Sequence, residues 1–127
     1  MIRECIDFIK DIIKSIEDVQ IFVTGFNFNR FGQDIKTVYA VIRAIEIMGE
    51  AVKHIPNTIK KEHSDIPWKQ IAGMRDKLIH EYFGIDMMIV WKTATKEIPK
   101  LKPLFLQIQD MEITKKNRLK KINILQE

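Results

Sequence analysis

A chain of 127 residues is long enough for one domain with its own core, burying roughly two-thirds of the surface that the unfolded form exposes. With 46% hydrophobic and 30% charged residues it is not a disordered chain, and no apolar run reaches the ~18 residues of a transmembrane helix. A formal net charge of +4 permits an anionic partner without demanding one, and a single cysteine, Cys5, excludes an internal disulfide.

The opening "MIRECIDFIKD" scatters charges among apolar residues, which does not suit a secretory signal; with the lone thiol, this makes the cytoplasm the expected compartment and a membrane an unexpected partner. Ile2, Ile6, Ile9, Ile13, Ile16 and Val19 recur at three- and four-residue steps and predict an amphipathic helix ending near Thr24-Gly25. "NFNRFGQ" reads as a loop or one short helical turn. A second long helix is predicted from about Asp34 to His54, with Ile35, Val38, Ile42, Ile45, Met48 and Val52 on one face. Gly49 costs about 1 kcal/mol there relative to alanine, so it is expected to mark a close helix crossing. Pro56 ends this helix, and "NTIKKEHSD" is a short helical segment or connection.

Pro67 suits the first turn of a third helix, which carries Ile71, Met74 and Leu78 and frays near "HEYFG". Asp86 is placed to cap a fourth helix containing Val90 and Trp91, and Pro99 is expected to kink it or start a new segment. The basic tail "TKKNRLKKINILQE" can extend the final helix or stay partly disordered. No alternating strand pattern of useful length occurs. The expected fold is all-α, an antiparallel bundle of four or five helices over residues 1–108, with a basic C-terminal extension over 109–127.

Several kinds of site are set aside. His54, His63 and His80 lack zinc-ligand spacing, and there is no second cysteine. No Glu-x-x-His pair of a di-metal bundle and no phosphate-binding glycine pattern is present, so neither a metal nor a cofactor is expected. Glu46 and Glu50 lie one turn apart, but Arg43 precedes Glu46 by one turn, so an ion-paired helix face is expected there.

What remains is "RDKLIHEY", with Arg75, His80 and Tyr82 five and then two residues apart. On an ideal helix Arg75 and His80 lie about 140° apart, so one straight helix cannot aim both at the same atom. Either the helix ends near Ile79 and His80 swings round, or a second copy of the chain completes the site.

The segment "IPWKQIAGMRDKLIHEYFGIDMMIVW", preceded by "AVIRAIEIMGEAVKHI", resembles the HepT-like ribonucleases of the HEPN superfamily from about Ile2 to Leu106. Their motif is an arginine, four residues, a histidine, one residue and a tyrosine; Arg75, His80 and Tyr82 match it, and Asp76 stands where a supporting polar residue is often found. The resemblance implies a HEPN-like helical bundle that dimerises with its motifs facing across a cleft. It also implies a metal-independent endoribonuclease, usually the toxin of a toxin–antitoxin pair. Arg75 and His80 would be catalytic, and Tyr82 would accept AMP from an MntA-type nucleotidyltransferase antitoxin.

The residue types suit that chemistry. RNA supplies its own nucleophile in the 2′-hydroxyl. A histidine moves protons near neutral pH, and a planar guanidinium holds a phosphate at two points. A rival expectation from another class is a non-catalytic HEPN subunit that docks a nucleotidyltransferase or a nucleotide through the same cleft.

Overall fold

The computed structural model describes residues 3–80 and 84–126, with the side chain of His80 outside the description. Helix α1 spans Cys5–Val23 and buries Ile9, Ile13, Ile16 and Val19 of the expected stripe together with Ile12, while Ile6 is half-buried and Ile2 lies outside the described residues. It stops at Thr24, and Gly25 takes the left-handed φ of +82° that a side chain would oppose. The "NFNRFGQ" stretch forms a short helix α2, Phe28–Gln33, capped by the Asn27 side chain, which accepts the Arg30 N–H at 2.9 Å.

Helix α3, Ile35–Lys53, starts where Asp34 accepts the Thr37 N–H at 3.2 Å. Val38, Ile42, Ile45, Met48 and Val52 are buried as expected, whereas Ile35, in the first turn, is 47% exposed. The rings of Phe8 and His54 stack 4.6 Å apart, which places the start of α1 beside the end of α3 and makes the pair antiparallel. A short helix α4, Asn57–Glu62, follows Pro56.

The third helix of the sequence reading is broken. Helices α5, Trp68–Ala72, and α6, Met74–Leu78, meet at Gly73, whose backbone (φ −98°, ψ 7°) lies off helical values. Pro67 caps α5 rather than entering it, while Ile71, Met74 and Leu78 still point inward. After Leu78 the chain turns extended. Ile79–His80 (β1) and Gly84–Ile85 (β2) form a two-residue antiparallel ladder, pairing Ile79 with Ile85 and His80 with Gly84. Such a ladder is too short to leave an alternating signature in the sequence.

Asp86 caps α7, Met87–Lys92, by accepting the Ile89 N–H at 3.1 Å, as the sequence led one to expect. The kink or new segment expected at Pro99 takes the form of a π-helical turn, Thr93–Glu97, after which α8, Ile98–Gln126, begins. A proline ring at position 99 collides with the carbonyl four residues back, at Thr95, and the wide turn gives that carbonyl room. Helix α8 packs against α1, and its Phe105 meets the Trp68 ring edge-on at 5.6 Å, tying α5 to the bundle.

The core is thus an antiparallel set of α1, α3 and α8, with α5 to α7 laid against it, and the fold is all-α as expected. Cys5 packs against this core, where burial pushes its thiol up to about 11 and keeps it neutral. Just past its middle α8 is tied to the body by Lys115 on Glu62, 2.8 Å, and by Lys116 on Glu4, 2.6 Å. Those hydrogen bonds hold both lysines above their ordinary values and Glu62 below its own. No helix among the described residues is long and apolar enough to cross a membrane.

Candidate functional site

Gly49 positions the site. A Cβ built on it would sit 3.3 Å from the Ile71 carbonyl oxygen and 3.4 Å from that of Ala72, so α3 and α5 cross closely there, as the sequence suggested. One turn earlier on α3 is Glu46, and three residues beyond Ala72 is Arg75, at the head of α6. The crossing brings these two side chains together, with Arg75 Nε 3.7 Å from Glu46 Oε2. On its other side Arg75 Nη1 lies 3.7 Å from Asp76 Oδ1. Both separations exceed a hydrogen bond, and the guanidinium is half-exposed, so the carboxylates steer it without sequestering it.

The arginine faces a groove of about 330 Å³ shared with Arg43, Glu46, Lys53 and Asp76. Ion pairing here departs from the sequence reading. Arg43 pairs with no carboxylate among the described residues, Glu46 turns to Arg75 instead, and Glu50 is held by Lys53 at 2.9 Å. The helical spacing of Arg43 and Glu46 gave no notice of a third charged group arriving from another helix. The signal that was available is Gly49, whose missing side chain announces that something comes close. Replacing Gly49 by valine is expected to cost about 1–3 kcal/mol in urea denaturation, because the nearest atoms are backbone carbonyls that cannot swing away. An unchanged midpoint would contradict the close crossing.

Helix α6 ends at Leu78, and Ile79 (φ −123°, ψ 120°) is extended, so the backbone leaves the helix before His80. The 140° separation of an ideal helix therefore does not apply, and the first of the two sequence-based solutions describes the backbone. His80 is placed opposite Gly84, beside the Asp86 N–H that bonds the Leu78 carbonyl at 2.9 Å. Tyr82 lies outside the described residues. Arg75 and Asp76 are thus brought together with Glu46, and His80 is fixed by its main chain five residues on. Among the described residues no three His, Cys, Asp or Glu side chains gather in a way that would hold a metal ion.

Comparison with known proteins bears on this segment directly. Residues 12–108 match the HepT-like family, described as ribonuclease HepT-like. The chain is 48% identical over 103 residues to the "Probable ribonuclease HepT" of Thermococcus cleftensis, covering 81% of this chain and 94% of that one. It is 42% identical over 118 residues to the "Putative RNase MJ1216" of Methanocaldococcus jannaschii, covering 92% and 98% respectively. Against the "Putative RNase TTE0752" of Caldanaerobacter subterraneus subsp. tengcongensis it is 44% identical over 105 residues, 83% of this chain and 94% of that one. No solved structure matches significantly. With a match across this much of its length, the chain belongs to the HepT-like ribonuclease family.

Proposed function

We propose that this protein is a metal-independent endoribonuclease of the cytoplasm, with Arg75 and His80 as its catalytic residues and residues 1–108 as its catalytic bundle. The observation that carries the reading is the family match over residues 12–108, which contains the whole Arg75–Tyr82 segment. The RNA 2′-oxygen attacks the adjacent phosphorus, a bond forms between them, and the bond from phosphorus to the 5′-oxygen breaks. One imidazole takes the 2′-hydroxyl proton, and a second, as imidazolium, protonates the departing 5′-oxygen. Arg75 holds the phosphate and offsets the charge that builds on its oxygens. Because one chain supplies only one motif histidine, the reaction takes place in a two-fold dimer that sets two motifs face to face. Purified protein is expected to cut single-stranded RNA in EDTA and to leave 2′,3′-cyclic phosphate ends. Cleavage abolished by EDTA would contradict this, as would a purely monomeric scattering mass in the active preparation.

Regulation belongs to the same reading. Tyr82, two residues beyond His80, accepts AMP from a nucleotidyltransferase antitoxin. The added phosphodiester brings a negative charge and a nucleoside into the motif segment, where they compete with the RNA backbone for the arginine. Incubation with such a transferase and ATP should add one AMP per site and switch cleavage off without loss of helical circular dichroism. Modification only at residues other than Tyr82, or a modified chain that cuts at the full rate, would defeat this part.

A further inference from the structure

We propose that the last part of α8, residues 109–126, is an arm that grips the RNA backbone outside the cleavage groove. The proposal takes RNA as the ligand from the ribonuclease reading. The family match ends at residue 108, yet the helix continues without interruption to Gln126. Five of the seven residues from Lys115 to Lys121 are lysine or arginine, and no acidic residue occurs between Ile113 and Gln126.

These five cations divide into two sets. Lys115 and Lys116 are spent on Glu62 and Glu4, and they fix the direction in which the helix leaves the body. Arg118, Lys120 and Lys121 are exposed and form no ion pair among the described residues. Residues 117–126 are exposed throughout and carry the helix about 15 Å further. On an ideal helix Arg118, Lys121 and Lys120 fan across roughly 160° of one side. Three unpaired cations on one side of a rod complement a chain of phosphates.

The arm's position agrees with that use. Its tie to Glu4 sets it beside the start of α1, and the stacking of Phe8 on His54 puts the end of α3 there too. Lys53, on the last turn of α3, belongs to the groove that Arg75 faces. An RNA strand followed from Arg75 along α3 past Lys53 therefore heads for the end of the bundle from which the arm projects. The exposed Leu119 and Ile122 lie on the other side of the helix and make a second copy of the chain the rival occupant. Packing two arms through those two residues would turn the three cations outward without giving them partners, whereas RNA supplies the phosphates that they match.

The test uses the full chain carrying His80→Ala and a fluorescein-labelled single-stranded oligouridylate, followed by anisotropy across a potassium chloride series. Adding Arg118→Gln, Lys120→Gln and Lys121→Gln should weaken binding at least about tenfold at ~0.1 M salt, and should reduce the log–log salt slope by about 2, near 0.7 per lost charge. With His80 restored, the same triple change should leave cleavage of a dinucleotide at the parent rate. Parental affinity and slope in the triple variant would overturn the arm. So would an equal loss of binding in a Leu119→Ser, Ile122→Ser chain whose scattering mass falls, since the helix would then join copies of the protein. A chain that binds RNA through these cations and never cleaves it would sink the ribonuclease reading and leave the arm standing.

Discussion

Arg75→Ala is expected to slow RNA cleavage by about 10²- to 10³-fold, the usual cost of removing one preorganised group that stabilises charge in the transition state. Stability should hardly move. The Arg75 side chain is 51% exposed, and its two carboxylate partners lie at 3.7 Å, an arrangement that contributes at most about 1 kcal/mol. Arg75→Lys should recover little activity, because an ammonium keeps the charge and loses the two-pronged geometry. Single-turnover cleavage beside urea denaturation separates the two effects. If Arg75→Ala retained the parent rate, the guanidinium would have no part in the chemistry.

Phe105→Ala should have the largest effect on the fold, about 3–5 kcal/mol, because its ring is fully buried in the three-helix core. The loss reaches the site indirectly. Trp68 heads α5 against that ring and donates its indole N–H to the His63 carbonyl at 3.0 Å, and α5 leads through Gly73 into the α6 turn that carries Arg75. A lowered denaturation midpoint with red-shifted tryptophan emission is the expected pair of signals. A cost below about 1 kcal/mol would mean that α5 is held to the body by other contacts.

Long helices were legible in the sequence because their apolar periodicity spans many turns: α1 and α3 end within a few residues of where their patterns stop. The cap at Asp86 and the close approach at Gly49 were legible for a local reason, since each residue type suits one backbone task. Short-range interruptions were less so. Gly73 divides a helix whose buried residues stay in register, so the periodicity passes over the break. Pro99 signals an interruption, but not that a π-helical turn before it removes the clash. In the site, Arg75 and Asp76 were legible only as motif positions, and Glu46 was assigned to its own helix face because its partner arrives from 29 positions away in the chain.

The most direct test compares two substrates and two proteins. One substrate is an all-ribose oligonucleotide, and the other is identical except for a 2′-deoxyribose at the mapped cleavage nucleotide; the proteins are the parent chain and His80→Ala. If Arg75 and His80 cut RNA through its own 2′-hydroxyl, the parent should cleave only the all-ribose strand at that position, and His80→Ala should lose about 10²- to 10⁴-fold in rate with its helical content intact. Cleavage of the deoxy-substituted strand at the same bond, or a parental rate in His80→Ala, would contradict the account.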